Sequence, residues 1–598
     1  MVKYSVFDNT VLMAGILPHD LNPKQLEAAC YKKGPLLITA GAGSGKTKTL
    51  TSRLLYLLSQ GVPAEQIVAI TFTNKAAGEM KERILALLPK EENTPFIGTF
   101  HSFGARLLRK ESRNFGRNGN FTIFDGNDMA KLIKNLVKNA DLDKVKYHHN
   151  IVGKHFSRIK NELAGAESAE DENISLLFER YEDALKRQNA FDFDDLIEKP
   201  VRLLQESRKK LDNYHNIFRY FLVDEYQDIN TAQYKLIKLL SAKERNLSVV
   251  GDDHQSIYSF RGSDFRNFLN FEKDFPEAKV VVLDQNYRST QNIVRASSAL
   301  ISNNLNQRPK KLWTENNEGD LIKISGFADA EEEANWLANE LYNEDRINSA
   351  ILYRTNAQSR PIEQALIFAD IPYFIYGGLK FYDRKEIKDI VSALKYGINP
   401  LDEINKERMF KGFRKTRIKP ILENLPGMAD NLSPVEFIGY ILKETDYAIY
   451  IQKEKNYEDR MENIKELISF AGGFSSVSEF VERISLLETT DQPKERSSRQ
   501  DDSSPVRLMT IHMAKGLEFD NIFLAGASEG LIPHERSIFR ENDIEEERRL
   551  MYVAMTRAKK KLSISFFRGS SRFLNEIPPE LVIFDNFQYK DEDTIYLD

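Results

Sequence analysis

Short apolar runs recur along the chain in two separated blocks, and each run is followed by polar residues. The first block contains the runs 35–39, 67–72, 220–223 and 247–250. The second block contains the runs 322–324, 350–353, 506–510, 522–524 and 562–566. Strands of this length that alternate with helical stretches favour parallel sheets covered by helices on both faces. The pattern therefore predicts an α/β protein with two sheet domains.

A long insert with helical spacing of its apolar residues interrupts each block. In the first insert Ile174, Leu177 and Phe178 follow this spacing. Near the end of the second insert, the polar segment 489–504 predicts a mobile loop. The predicted domains are 1–108 with 190–283 (first sheet domain), 109–189 (its insert), 284–388 with 501–598 (second sheet domain) and 389–500 (its insert).

Length and composition exclude several classes of protein. The 598 residues exceed what one core holds, and 41% apolar with 29% charged residues is typical of soluble globular domains. The apolar run 11–17 is too short to span a bilayer. The single cysteine, Cys30, excludes an internal disulfide framework and any thiolate-built zinc or iron–sulfur site. We expect a cytoplasmic protein with no membrane partner.

The net charge of −5 does not exclude a nucleic-acid partner, because binding depends on local clusters of charge. Between Arg106 and Lys160 basic residues clearly outnumber acidic ones. Such a region can follow the phosphates of a nucleic acid. A solvated helical surface explains the same charges equally well.

Residues 40–47 have the composition of a phosphate-binding loop between a strand and a helix. Glycines allow backbone N–H groups to close around phosphate oxygens at a helix N-terminus. Lys46 can then reach the β- and γ-phosphates, and the Thr47 hydroxyl can bind magnesium. The candidate ATP-binding residues are Ala40, Gly41, Ala42, Gly43, Ser44, Gly45, Lys46 and Thr47.

The segment 220–228, YFLVDEYQD, is an apolar strand that ends in paired carboxylates. Asp224 suits the magnesium ion, and Glu225 suits the general base that orients and deprotonates the attacking water. An acidic helix cap is the alternative interpretation. The loop that carries Lys46 favours the catalytic one.

Nine further segments, in order along the chain, carry a resemblance to a known family. They are 21–25 (LNPKQ), 71–77 (TFTNKAA), 98–103 (GTFHSF), 191–196 (FDFDDL), 250–262 (VGDDHQSIYSFRG), 285–290 (QNYRST), 353–360 (YRTNAQSR), 510–519 (TIHMAKGLEF) and 546–558 (EERRLMYVAMTRA). With these motifs the chain resembles superfamily 1 DNA helicases of the UvrD/PcrA/Rep family over nearly its whole length. The resemblance implies two RecA-like P-loop NTPase domains, each interrupted by a mainly helical insert, the second of which is shorter than in the best-known relatives.

The resemblance also assigns nucleotide contacts. Gln25 is expected to bond the adenine edge, Tyr287 to stack on adenine and Glu518 to meet the ribose. Gln255 is expected to sense the γ-phosphate. Arg288 and Arg557 are expected to reach from the second sheet domain and to stabilise charge on the γ-phosphoryl group, as such cations do in related enzymes. A surface ion pair is the alternative for a lone arginine.

Further residues in these motifs are expected to line a channel for single-stranded DNA. They are Phe72, Thr99, His101, Tyr258, Phe260, Arg261, Arg354 and His512. Aromatic rings stack on bases with little sequence preference, although core packing is the alternative for a ring near a strand end. Close relatives carry tryptophan where this chain has Phe260, so we expect stacking there with a weaker grip.

The implied function is that of an ATP-dependent 3′→5′ DNA helicase and single-stranded DNA translocase. It would hydrolyse ATP, with magnesium, in a cleft between the two RecA-like domains, and act in DNA repair, replication restart or recombination control. Single-stranded and tailed duplex DNA are the expected partners, and a monomer or a DNA-dependent dimer is the expected state. A nucleoid-associated cytoplasmic location follows.

Three alternative functions remain open from the sequence. The chain can be the helicase subunit of a helicase–nuclease complex, although a separate nuclease subunit would then be required. It can be a nucleotide-gated DNA-binding module without turnover, which the intact set Lys46, Asp224, Glu225, Gln255, Arg288 and Arg557 disfavours. An ATP-dependent kinase is the third, and no phosphoacceptor-site motif supports it.

Overall fold

A computed structural model describes most of the chain. The described residues are 20–85, 94–169, 171–343, 346, 348–376, 384–400, 402–452, 457–481, 484 and 505–585. The chain divides into two compact units: the first unit is Met1–Arg288 with Asn304–Asn316, and the second unit is Ser289–Asn303 with Asn317–Asp598. The loop predicted at 489–504 lies outside the described residues. Each unit is described by itself below.

A six-stranded parallel sheet forms the centre of the first unit. The strands of this unit are β1 (Leu36–Ala40), β2 (Ile67–Thr71), β3 (Phe96–Thr99), β4 (Thr122–Phe124), β5 (Ala190–Asp192), β6 (Tyr220–Val223), β7 (Leu247–Gly251) and β8 (Lys279–Leu283). The order in the sheet is β3-β2-β6-β7-β1-β8, and β4 pairs only with β5. Because β1 and β6 run parallel, their carboxyl ends lie at the same edge of the sheet, and the polar segments that follow them lie at that edge.

Twelve α-helices are described in the first unit. They are α1 (Pro23–Ala29), α2 (Lys46–Ser59), α3 (Asn74–Leu85), α4 (Phe100–Glu111), α5 (Gly126–Asn139), α6 (His149–Asn161), α7 (Glu172–Arg187), α8 (Asp195–Glu206), α9 (Arg208–Ile217), α10 (Thr231–Ser241), α11 (Arg266–Leu269) and α12 (Phe271–Asp274).

Alternate side chains of β1 pack into two different cores, one on each face of the sheet. Leu37 joins the core that contains Phe221, whereas Leu36 and Ile38 join the core that contains Leu50 of α2. A strand buried on both faces is apolar throughout, which is why the run 35–39 was recognisable in the sequence.

The first insert has its own hydrophobic core, formed by Val152 and Phe156 of α6 with Leu177 and Tyr181 of α7. The insert is mainly helical, as predicted, and it also contains the short strand β4 at Thr122–Phe124. Three residues are too few to show alternation, and this strand depends on pairing with β5.

The second unit contains a seven-stranded parallel sheet. Its strands are β9 (Ile322–Phe327), β10 (Ser349–Tyr353), β11 (Tyr373–Ile375), β12 (Val506–Thr510), β13 (Phe519–Leu524), β14 (Ala558–Phe567) and β15 (Val582–Asp585). They are arranged in the order β11-β12-β10-β13-β14-β9-β15. With this sheet, the predicted α/β class with two parallel sheets is confirmed.

The described α-helices of the second unit fall into a group around the sheet and a group in the insert. They are α13 (Gln291–Ile301), α14 (Ala330–Asn343), α15 (Ser359–Phe368), α16 (Lys385–Ile398), α17 (Glu403–Gly412), α18 (Lys415–Ile421), α19 (Leu425–Asn431), α20 (Pro434–Thr445), α21 (Tyr447–Ile451), α22 (Tyr457–Ala471), α23 (Ile511–Ala514) and α24 (Glu541–Met555). Helices α16 to α22 share one core, in which Ile390, Phe437 and Leu467 are fully buried.

The division between the two units differs from the domain boundary drawn at residue 284. Residues 284–288 and 304–316 belong to the first unit. Their backbone explains this, because Tyr287 N donates to Gly43 O (3.0 Å) and Lys279 of the adjacent β8 pairs with Leu36. Arg288, expected to come from the second sheet domain, therefore lies in the first unit.

Candidate nucleotide site and nucleic-acid contacts

The loop between β1 and α2 turns through two glycines in the left-handed region. Gly43 and Gly45 have φ of 68° and 80°, conformations that cost a residue with a side chain free energy. Gly41 is also constrained, because a Cβ there would lie 2.3 Å from Leu312 Cδ2. The loop thus brings bare backbone to the N-terminus of α2, where an anion is favoured by N–H groups and the helix dipole.

Thr47 and Asp224 meet at the carboxyl ends of β1 and β6. Thr47 Oγ1 donates to Asp224 Oδ2 at 3.1 Å. Burial, followed by the neighbouring Glu225, raises the pKa of Asp224 to about 7. Hydroxyl and carboxylate oxygens are ligands that Mg²⁺ prefers, and a divalent cation would compensate this buried carboxylate. The two side chains therefore fit the predicted magnesium site.

Glu225 follows Asp224 with a strained backbone. Its φ of 51° is in the left-handed region, which costs a residue other than glycine about 1–3 kcal/mol. Its backbone N–H donates to Asp224 Oδ1 (2.9 Å), and Gln227 Nε2 donates to Glu225 Oε2 (2.5 Å). Strain of this kind persists where the surroundings fix the residue, and it often occurs at functional sites.

Asp252, directly after β7, lies between Lys46 and Gln227, the residue that bonds the general-base candidate Glu225. Its backbone N–H donates to Gln227 Oε1 (3.0 Å). Its Oδ2 accepts from Gln255 Nε2 (2.7 Å) and lies 3.9 Å from Lys46 Nζ. Side chains from three separated motifs are therefore held around one buried carboxylate.

Gln25, the predicted adenine reader, is buried and already hydrogen-bonded within the first unit. Its Nε2 donates to Ser44 O (2.9 Å), and its Oε1 accepts from Asn22 N (3.0 Å) in a capping box at the start of α1. Asn22 Nδ2 in turn donates to the Tyr287 hydroxyl (2.7 Å). The α1 end is thus tied to the phosphate loop and to Tyr287.

The motif 285–290 packs on the phosphate loop through its first residues. Asn286 Nδ2 donates to Ala42 O (2.8 Å), and Asn286 Oδ1 accepts from Arg288 N (2.8 Å). The ring of Tyr287 is 47% exposed beside the loop. A ring held at its hydroxyl with an open face suits the stacking predicted for it.

In the second unit, Arg557 follows α24 and is 1% exposed. Its guanidinium donates to Val553 O (3.0 Å), Leu517 O (3.2 Å) and Thr556 Oγ1 (3.1 Å). Glu518, the residue after Leu517, pairs with Lys559 at 2.7 Å. The orientation of Arg557 is therefore fixed within its own unit.

Three aromatic side chains of the first unit are adjacent to one another. Phe72 stacks on Tyr258 with ring centroids 5.2 Å apart and planes 15° apart, and Tyr258 lies 6.1 Å from Phe260. Phe260 is 65% exposed, whereas Tyr258 is buried. The structure thus brings together three of the predicted DNA-contacting rings. The side chain of Arg261 lies outside what the structure describes.

His101 and Thr99 lie where β3 passes into α4. Thr99 Oγ1 caps the helix by accepting from Ser102 N (3.3 Å). The His101 ring stacks on the half-exposed Phe193 at 3.9 Å, and burial lowers the pKa of His101 to about 4. The imidazole is therefore neutral at pH 7 and offers a face rather than a charge.

The two predicted DNA contacts in the second unit have different surroundings. Arg354 forms a two-bonded ion pair with Glu547, at 2.7 and 3.2 Å, so its charge is already balanced. A phosphate contact by Arg354 would have to share the guanidinium with Glu547. His512 lies on α23, which begins where Thr510 Oγ1 accepts from Met513 N (3.4 Å).

Comparisons with known proteins cover almost the whole chain. The family model for the UvrD/REP helicase N-terminal domain matches residues 21–276, and that for the UvrD-like helicase C-terminal domain matches 281–432 and 415–569. A protein from Bacillus subtilis (strain 168), named ATP-dependent DNA helicase PcrA, is 40% identical over 96% of this chain and 87% of its own length. A protein of that name from Staphylococcus epidermidis (strain RP62A) is 38% identical over 97% and 89%.

The chain belongs to the UvrD/REP helicase family. The predictions of this family, of a helicase and of an enzyme are therefore confirmed. Within the described parts of this helicase, no helix is both long and apolar enough to cross a membrane. The roles of individual site residues stay predictions.

Sequence reasoning missed several residues of this helicase that complete the site. They are Gln227, Asp252, Asn286, Lys310 and Phe193. Four of them stand inside quoted motifs, where their polar or aromatic character was a usable signal. Lys310 stands outside every motif, and only the fold shows its neighbours.

Proposed function

We propose that this helicase couples ATP hydrolysis to 3′→5′ movement along single-stranded DNA and thereby unwinds tailed duplexes. We further propose a cytoplasmic, nucleoid-associated enzyme, monomeric or dimeric on DNA, that serves DNA repair, replication restart or recombination control. The relatives named ATP-dependent DNA helicase support the reaction and the substrate.

One continuous segment carries the coupling. Asp252 and Gln255 bond the nucleotide-site residues, and Tyr258 and Phe260, a few positions later, belong to the row of aromatic rings. Because a chain spans at most about 3.3–3.6 Å per residue, a shift of Gln255 on γ-phosphate loss is transmitted to Tyr258 through only three residues. This short connection is the observation that best supports a motor.

In the nucleotide site, the backbone of residues 41–45 binds the phosphates and Lys46 reaches the β- and γ-oxygens. Thr47 and Asp224 would hold Mg²⁺, which would neutralise charge on the phosphate oxygens. Glu225 accepts the proton of the attacking water at its carboxylate, which Gln227 orients. Gln255 contacts the γ-phosphate.

Two arginines are proposed to complete the hydrolysis step. Arg288, beside Gly43, and Arg557, held by three acceptors, would stabilise charge on the departing γ-phosphoryl group. Cations in this role raise kcat by ~10³–10⁵-fold in related enzymes. Arg557→Ala should therefore abolish turnover while leaving nucleotide binding measurable.

Strand displacement tests the proposed direction and its fuel. We expect the chain with ATP to displace a strand from a 3′-tailed duplex but not from a matched 5′-tailed duplex. Glu225→Gln should bind the tailed DNA as the parent does and displace no strand. Displacement from the 5′-tailed duplex would contradict the direction, and displacement by Glu225→Gln at the parent's rate would contradict the catalytic assignment.

A further inference from the structure

The strap, residues Asn304–Asn316, belongs to the first unit although α13 before it belongs to the second. Its far end is fixed by backbone bonds from Trp313 N to Asp284 O (3.1 Å) and from Asn286 N to Trp313 O (2.8 Å). Within the strap, Lys310 lies on Asp252 and Asp253, and Leu312 lies on Gly41 of the phosphate loop.

Leu312 contacts the phosphate loop. The close approach that excludes a Cβ at Gly41 is made by the Leu312 side chain. The strap therefore lies directly against the first residue of the loop that precedes Lys46, and its position depends on that glycine.

The side chain of Lys310 is fully buried and holds two carboxylates. Its Nζ lies 2.6 Å from Asp252 Oδ1 and 2.5 Å from Asp253 Oδ1, and neither carboxylate is exposed. The neighbouring Arg308 N–H donates to Asp253 Oδ2 at 2.7 Å. Burial alone would raise the pKa of Asp252, but the ammonium groups of Lys310 and Lys46 outweigh it and hold the pKa below its usual value.

The charges around Asp252 balance only with Lys310 present. Asp252 shares Oδ1 with Lys310 and Oδ2 with Gln255 and, more distantly, Lys46. Without Lys310, Asp252 still faces the Lys46 ammonium at 3.9 Å, and Asp253 Oδ2 lies 3.9 Å from the His254 ring. An uncompensated buried charge is strongly unfavourable, so Lys46 would move from 3.9 Å toward Asp252 and away from phosphate.

We propose that Lys310 is a positioning residue for ATP hydrolysis. By neutralising Asp252 and Asp253 from the strap, it leaves Lys46 available to the β- and γ-phosphates and keeps Gln255 fixed on Asp252. We name Lys46, Asp252, Asp253, Gln255 and Lys310 the P-loop cluster. The proposal rests on the proposed function, since it assumes that Lys46 and Gln255 act on ATP.

A second buried lysine in the same unit offers a matched control. Lys160 Nζ lies 2.6–2.8 Å from Glu182, Asp192 and Asp195, and Lys199 lies 2.6 Å from Glu182. We name these five residues the insert cluster. Its three carboxylates have the spacing of a cation site, and Lys160 takes the central position. Among the described residues, the hydrogen bonds and ion pairs of these five side chains do not reach the phosphate loop or the P-loop cluster.

The experiment compares Lys310→Gln, Lys310→Gln with Asp252→Asn, and Lys160→Gln in the full chain. Steady-state ATP hydrolysis with saturating single-stranded DNA gives kcat and KM, and a fluorescent ATP analogue counts folded, nucleotide-binding molecules. We expect Lys310→Gln to lower kcat by ~10–100-fold, as small displacements of catalytic groups do. The double variant, in which no carboxylate remains 3.9 Å from Lys46 and an amide oxygen can still accept from Gln255, should recover kcat to within ~3-fold of the parent.

The outcomes are distinct. The proposal is supported if Lys310→Gln loses kcat, the double variant recovers it and Lys160→Gln keeps it. It is overturned if Lys310→Gln keeps kcat, if Lys160→Gln loses as much, or if the double variant does not recover. Should Lys310→Gln not fold, the double variant decides alone: a folded protein with near-parental kcat supports charge balance, and anything less overturns it. A parent without DNA-stimulated turnover would instead contradict the proposed function.

Discussion

The P-loop cluster and the insert cluster are built alike and surrounded differently. In each, a buried lysine holds aspartates at 2.5–2.8 Å. The carboxylates of the insert cluster have further partners around them, because Lys199 pairs with Glu182 and the Tyr181 hydroxyl donates to Asp192. In the P-loop cluster, Asp252 also faces Lys46 and Gln255, the two members with proposed phosphate contacts. The same ionic arrangement can therefore stabilise the insert in one place and, in the proposed nucleotide site, keep Lys46 available for phosphate in the other.

Removal of one partner from a buried ionic cluster changes the free energy of unfolding more than formation of the whole cluster does. Desolvation largely offsets the attraction within a buried ion pair, but removal of one partner leaves a charge without compensation. In the insert cluster this cost falls on folding. In the P-loop cluster we expect this cost to fall on Lys46, whose proposed partner is the nucleotide.

The largest expected effect is on stability and is at Lys160. Lys160→Gln should lower the free energy of unfolding by about 3–5 kcal/mol, because three carboxylates lose their central cation. Urea unfolding followed by circular dichroism measures the loss, and Lys160→Gln with Asp195→Asn should restore part of it. If Lys160→Gln were as stable as the parent and had a much lower kcat, the proposed difference between the two clusters would be contradicted.

Gln227 bonds both Asp252 of the P-loop cluster and Glu225, the proposed general base, and its replacement should have the next largest effect. Gln227→Met removes the bonds to Glu225 Oε2 and Asp252 N while roughly keeping volume. We expect kcat to fall ~100-fold with little change in KM, as for a misplaced base. Gln233→Met, at a buried helix-capping glutamine of α10, is the control and should affect stability alone. Equal kcat in both variants would show that Gln227 does not orient Glu225.

The smallest expected effect is a pH dependence beside the insert cluster. His101 stacks on Phe193, between Asp192 and Asp194, and burial lowers its pKa from 6.5 to about 4. The folded state then binds fewer protons than the unfolded state between these values. The contribution of the neutral His101 to the free energy of unfolding is therefore complete above pH 6.5 and is lost as the pH falls toward 4. The loss is at most about 2 kcal/mol by pH 5.

Histidine NMR titration, with His101→Gln to assign the signal, measures this pKa directly. An imidazole that titrates near 6.5 would show that the stack on Phe193 is open to water. In that case the buried region around the insert cluster would not include His101, one of the predicted DNA contacts.

Some of this could be predicted from the sequence for identifiable reasons. The run 35–39, the glycines at 43 and 45 and the helix from Lys46 form one local unit, so their pattern sufficed. Strands β11 and β15 were missed because they are short edge strands with exposed residues such as Phe374 and Phe584. Strand β3 contains Gly98, which lowers its strand propensity.

The P-loop cluster could not be predicted, because its contacts depend on tertiary structure. Lys310 reaches Asp252 across 58 positions of sequence, and no periodic pattern marks it. The grouping of Arg288 with the first unit has the same origin, since it follows from bonds between residues 286–288 and the phosphate loop. Polar networks of this kind become visible only when the sheet brings loop ends together.

The central claim is that ATP chemistry around Asp252 is linked to DNA contact at Tyr258 and Phe260 through one segment. The most direct test is the steady-state rate of ATP hydrolysis by the full chain, measured as a single-stranded oligonucleotide is added. The account predicts a rise in kcat of more than ~10-fold that saturates with DNA, and a weaker DNA dependence in Phe260→Ala. A rate that does not change with added oligonucleotide would contradict it.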